Sequence, residues 1–227
     1  MNHLARFFVA AMAITLLLLC TAPAFADIEV YMQAPTLNGS WWASQNDIGG
    51  QGNFATVYDN FRIYSVTNPY ILDDVEWFGI YVNPGPPGNI TGWTISIYAD
   101  NAGQPGGALW SRYFGVSYPG YMEVCGFGAF NMCSYDMDSI TGGYKLMPNT
   151  TYWLSVVPDM KFPPQWGWGT GTSGDGIAYQ NWYGTLYQRN SDLAFNLQGI
   201  PTPEPGSLIL MGTGILGLAG MLRRKLF

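Results

Sequence analysis

Apolar and polar residues alternate with a period of two along much of this chain, the pattern of half-buried β-strands. In residues 92–99, Trp93, Ile95 and Ile97 fall on one face and Thr94 and Ser96 on the other. Residues 192–198 group Leu193, Phe195 and Leu197. Residues 151–157 set Tyr152, Leu154 and Val156 opposite Trp153, and residues 75–82 group Phe78, Ile80 and Val82. Further strands are expected at 54–64, 108–116, 121–125, 130–137 and 177–187, separated by Gly, Pro and Asn clusters. No window carries a convincing helical period, and no unit of 20–50 residues repeats, which argues against a propeller or solenoid. Many short strands between turn signals predict an all-β fold, an antiparallel two-sheet β-sandwich of the jelly-roll kind.

The two ends break this pattern. Residues 1–26 begin with Arg6, continue in an apolar run from Phe7 to Leu19 and close on Ala24-Phe25-Ala26. That is the layout of a secretory signal peptide, with signal peptidase expected to cut before Asp27. At the other end stands Pro203-Glu204-Pro205, then an apolar stretch over 207–222, then Arg223-Arg224-Lys225. As a helix the stretch would run about 24 Å at ~1.5 Å per residue, slightly short of a bilayer core, and the basic cluster can snorkel to the headgroups. Basic residues stay on the cytoplasmic side, so the bulk of the chain is expected to face outward. Three parts result: 1–26 as signal peptide, 27–200 as sandwich body and 201–227 as tail.

The tail closely resembles the PEP-CTERM sorting signal of Gram-negative bacteria. The Pro-Glu-Pro triplet, the short Gly-rich apolar segment and the Arg-rich end match it in order and spacing. The resemblance implies that exosortase, a membrane peptidase, processes the chain near the triplet. It also implies a transient inner-membrane anchor, then display at the cell surface or release into an exopolysaccharide or biofilm matrix. The body carries a second resemblance through Tyr58-Asp59-Asn60-Phe61, the run from Asp74 to Tyr81, the run from Ile95 to Gly106, Tyr152-Trp153-Leu154 and Leu193-Ala194-Phe195. These are similar to secreted bacterial β-sandwich domains of unknown function that often precede such tails. No catalytic residues come with that group.

Composition narrows the chemistry. Only 11% of residues are charged, while 16% are aromatic. All 15 acidic residues lie between Asp27 and Glu204 against five basic ones, so this region carries ten net negative charges. Such acidity disfavours nucleic acid and other polyanions. The sole histidine, His3, and Cys20 fall in the signal peptide, so the processed chain has no His for a nucleophile system, a general base or a metal site. Cys125 and Cys133 remain and are expected to pair in an oxidising compartment.

Three groups of residues are candidates for binding or chemistry. Trp41, Trp42, Trp166 and Trp168 could stack on sugar rings, or could fill the core of a charge-poor sandwich. Asp100 and Asn101 open a loop with turn chemistry whose oxygens would also suit calcium. Asp73-Asp74 and Asp136-Met137-Asp138 could add oxygens of the same kind. Glu76 sits in an expected strand beside Trp77, but the sequence shows no second carboxylate paired with it, as a glycoside hydrolase would need. The reading is therefore a non-catalytic surface or matrix protein. The alternatives are a carbohydrate-binding module using exposed Trp residues, with or without calcium, and more remotely a glycosidase.

Overall fold

The computed structural model describes residues 28–64, 68–82, 90–128, 131–202 and 212–214. The expectations for the signal peptide, the triplet, the basic end and most of the apolar stretch lie outside these residues. Among the described residues no helix is long and apolar enough to cross a membrane.

Among the described residues sixteen strands follow one another. The first six are β1 (Ile28–Gln33), β2 (Trp41–Ala43), β3 (Gln45–Asp47), β4 (Gly52–Arg62), β5 (Tyr70–Val82) and β6 (Gly92–Asp100). Next come β7 (Pro105–Gly115), β8 (Tyr121–Phe127), β9 (Met132–Met137), β10 (Lys145–Leu146) and β11 (Thr151–Met160). The last are β12 (Gln165–Gly171), β13 (Ala178–Trp182), β14 (Thr185–Arg189), β15 (Asp192–Leu193) and β16 (Phe195–Pro201). They build two sheets. A nine-stranded sheet has the spine β1-β16-β5-β12-β15, with β10 and β9 also on β5, β8 on β9 and β2 on β12. A seven-stranded sheet runs β14-β13-β4-β3-β11-β6-β7, with β4 also paired to β11. Pairing is antiparallel apart from the short contact of β3 with β11. The body is thus a two-sheet β-sandwich. The expected strand at 177–187 is in fact a hairpin, β13 and β14, turning at Tyr183 and Gly184, both with positive φ.

The inner faces follow the alternation in β6, β11 and β16. Trp93, Ile95, Ile97, Tyr152, Leu154, Val156, Phe195 and Leu197 all join one core. In β5 the expected face is inverted. Val75 and Trp77 point inward and are fully buried, whereas Phe78 is only half-buried. Both faces of 75–82 carry large apolar residues, so alternation alone does not choose between them. Nearer the start of the strand is a bulge: Gln198 pairs with Asp74 but Gly199 pairs with Leu72, so Asp73 is an extra residue. An extra residue switches the parity of everything beyond it. Tyr70 and Leu72 therefore share the core with Val75 and Trp77, although they sit on positions of opposite parity.

Aromatic rings fill the centre. Trp93 meets Trp77 at 4.8 Å, Tyr135 at 4.7 Å and Trp166 at 5.1 Å between ring centroids. Such tilted and edge contacts add roughly 0.5–1.5 kcal/mol each beyond buried area. Gly79 makes room for this cluster, since a Cβ there would lie 2.2 Å from the Trp166 ring.

Candidate functional site

The outer face of the seven-stranded sheet gathers polar side chains from segments far apart in sequence. Asn60 and Arg62 of β4 lie opposite Trp153 and Thr151 of β11. Trp153 in turn faces Tyr98 of β6, and Asp100, two residues on, shares that face. The loop after β12 brings Ser173, Gly174 and Asp175 to the rim, and Tyr31 and Tyr64 complete the wall. The result is an open cavity of about 380 Å³, within the size range of small-ligand sites.

Each wall group has a defined state. Trp153 is fully buried as the floor, and its Nε1 donates to Asp100 Oδ1 at 2.9 Å. The Gly103 N–H donates to both Asp100 oxygens at 3.2 Å, while Asn101 and Gln104 exchange backbone hydrogen bonds. Asp100 therefore closes the β6–β7 turn. Asp175 accepts from Asn60 Nδ2 at 2.8 Å and from the Ile177 N–H at 2.9 Å. Arg62 lies 5.3 Å from the ring centroid of Tyr64, which is 67% exposed. Its buried Nε has no acceptor among the described residues. A guanidinium, hydroxyls, anchored carboxylates and an exposed ring form a surface suited to a hydroxyl-rich ligand.

Behind the wall, on the inner face of β4, Asp59 is fully buried. Burial pushes its carboxyl well above the usual carboxylate range; the Leu193 and Asn60 N–H groups oppose the shift, and the charges of Asp192 and Asp175 add to it. Burial likewise holds the Tyr31 hydroxyl up at about 12.

The structure corrects the expectation of an exposed tryptophan platform. Trp166 and Trp168 have no solvent exposure. Their side chains point between the sheets, where Trp166 Nε1 donates to the Tyr135 hydroxyl and Trp168 Nε1 to the Ala194 carbonyl. Trp41 and Trp42 are half-buried. Trp41 packs over Gly167, where a Cβ would lie 2.6 Å from its ring. The Trp42 ring is covered by Arg189 at 4.3 Å, and its Nε1 donates to Ser191 Oγ. No pair of these rings offers a free flat face to a sugar.

Cys125 and Cys133 face each other across β8 and β9 and form a disulfide. Glu123 lies beside them, but sulfurs bonded to each other supply no thiolate to a metal. Glu76 does have carboxylate neighbours, which the sequence did not reveal. Asp136 lies directly opposite it on β9, and Asp74 shares its face of β5. They stand on the other sheet from the cavity. The cavity residues the sequence reading passed over, Asn60, Arg62 and Asp175, are single polar residues, and only the strand register brings them together.

Among known families, residues 201–225 match the PEP-CTERM protein-sorting motif. Neither a curated protein nor a solved structure matches the chain. The match begins at the last residue of β16, so the motif follows the sandwich directly. The chain is thus an exported β-sandwich protein that carries a PEP-CTERM protein-sorting motif, the signal that implies processing by exosortase.

Proposed function

We propose that this protein is a non-catalytic component of the cell surface or extracellular matrix, delivered there by exosortase after a transient stay in the inner membrane. The observation that carries this reading is the motif over residues 201–225 directly behind a complete sandwich. The absence of histidine beyond His3 supports a role without acid–base chemistry of that kind. Changing Pro203, Glu204 and Pro205 together to Ala should leave the full-length chain in the inner-membrane fraction. Fractionation followed by immunoblotting reads this directly, and normal release of the triple variant would falsify the proposal.

The cavity on the seven-stranded sheet favours a second reading, carbohydrate binding. Its supports are the exposed Tyr64 ring, the Arg62 guanidinium and the amide and hydroxyl groups around them. This site replaces the tryptophan pairs as the place where a glycan of the matrix would dock.

A further inference from the structure

Strand register shows which side chains surround the point where the sorting tail leaves the sandwich. Pro201, the last residue of β16, and Leu146, the last of β10, both pair with Tyr70, from opposite sides of β5. Met147 and Thr202 therefore stand about 10 Å apart, two strand spacings. The Asn149 N–H donates to the Ile63 carbonyl, which brings Tyr64 to the same end. Ile28 of β1 pairs with Gly199, two residues before Pro201. Ile28, Tyr64 and Met147 are large apolar side chains left exposed.

Two basic residues stand among them. Arg62 is the last residue of β4, opposite Thr151, and Lys145 is the first of β10. They offset Glu29, beside Ile28, and Asp100, at the end of β6. This end thus mixes apolar, aromatic and cationic side chains in a body with ten net negative charges. Ile48, Phe162 and Tyr183 are exposed as well. Tyr183 belongs to the opposite end, because Trp182 pairs with Ala55, about 23 Å from Arg62 along β4.

The sequence beyond Thr202 decides what covers the first group. Residues 201–225 match the sorting motif, and the apolar run starts at Ser207. A bilayer that holds this run lies against the end of the sandwich from which it leaves. Tyrosine favours the headgroup level, and Lys and Arg lay their stems on apolar surface while their charges reach lipid phosphates. Anionic headgroups repel the acidic remainder of the body, which turns the offset end towards them. We infer that this end rests on the outer leaflet of the inner membrane while the tail is anchored there. Ile28, Tyr64 and Met147 enter the headgroup region, and Arg62 and Lys145 meet lipid phosphates. The inference rests on the anchored stage proposed above. Arg62 and Tyr64 also line the cavity, so lipid engages that wall until the tail is cut.

The test uses the full chain in vesicles of phosphatidylethanolamine and phosphatidylglycerol. Cys20→Ser leaves an added cysteine as the free thiol, since Cys125 and Cys133 are bonded to each other. Nitroxide labels go on Tyr64→Cys, on Met147→Cys and, at the opposite end, on Tyr183→Cys. These positions are exposed, so labelling leaves the core intact. Power-saturation spectroscopy should place the labels at 64 and 147 about 5–10 Å into the headgroup boundary and the label at 183 in water. Arg62→Glu with Lys145→Glu should move the label at 147 into water while the chain still floats with the vesicles. A floating chain whose labels at 64 and 147 read water, as the label at 183 does, would overturn the inference and leave the anchored stage standing. So would equal burial of all three labels, or a label at 147 unmoved by the double charge reversal. A chain that does not float would overturn both.

Discussion

Asp59 shows how one side chain sets a pH dependence. Its carboxyl is fully buried and accepts from the Asn60 and Leu193 N–H groups, and Asp192, Asp175 and Tyr31 face it from the segments packed against it. The folded state therefore keeps its proton where the unfolded chain, with a value near 3.9, has lost it. Stability from this group is complete below about pH 4 and falls as pH rises from there towards the folded value. The slope for one such group is about 1.4 kcal/mol per pH unit. Asp59→Asn mimics the protonated form, so its Tm should decline less between pH 5 and 7 than that of the unaltered chain. Parallel melting curves for the two proteins would mean that Asp59 is ionised in the fold. The sequence marked Asp59 only as part of a resemblance; its burial depends on which face of β4 looks inward. Trp153 teaches the same lesson. Its parity correctly put it opposite Tyr152, Leu154 and Val156, yet it is fully buried because Tyr179 packs on it and Asp100 accepts its N–H.

Among the elements, those with unbroken alternation were the legible ones. β6, β11 and β16 face as their sequences say, because each keeps one parity over the stretch that meets the core. β5 does not, since Val75 and Trp77 on one face and Phe78 and Ile80 on the other are equally apolar, and only the packing of the other sheet chooses between them. The positions of Trp166 and Trp168 were illegible for a related reason. No strand was expected over 165–171, because Gly167 and Gly169 interrupt the apolar pattern, yet both lie within strand β12. Gly167 leaves space for Trp41, and a Cβ at Gly169 would lie 2.9 Å from the Met132 side chain. The hairpin of β8 and β9 is asymmetric. β9 is embedded beside β5, whereas β8 is exposed along nearly its whole length and, among the described residues, pairs only with β9. The Cys125–Cys133 bond closes a loop of eight residues of separation, worth about 2–3 kcal/mol in the chain-entropy account. That contribution belongs to β8 and not to the core. Reduction, or Cys125→Ser with Cys133→Ser, should speed amide exchange over residues 121–127 while β5 and β16 stay protected. Uniform acceleration across both sheets would show instead that the bond holds the whole sandwich.

At the scale of the whole molecule, the two sheets present different chemistry outward. The seven-stranded sheet offers the cavity around Arg62 and Tyr64, and the nine-stranded sheet carries Glu76 opposite Asp136. Affinity electrophoresis through gels containing the host's exopolysaccharide separates the cavity from the tryptophans. Arg62→Ala with Tyr64→Ala should abolish retardation, while Trp41→Ala should not; equal mobility of all three proteins in every gel would count against glycan binding at the cavity. The junction with the sorting motif carries a further consequence. β16 stays paired to β5 as far as Pro201, opposite Tyr70, and the Thr202 N–H donates to the Pro69 carbonyl at 2.9 Å. The triplet starts at the next residue, and the apolar run starts at Ser207. Five residues of fully extended chain reach at most about 18 Å. The sandwich is therefore on a very short leash, too short for the body to swing clear of whatever holds the apolar run. A peptidase acting at Glu204 must work within a few ångströms of a folded domain, so its mouth has to admit the blunt end of a sandwich or wait for β16 to fray. Spacing between fold and triplet then acts as a ruler, and adding residues after Thr202 would change access to the cut without touching the motif itself.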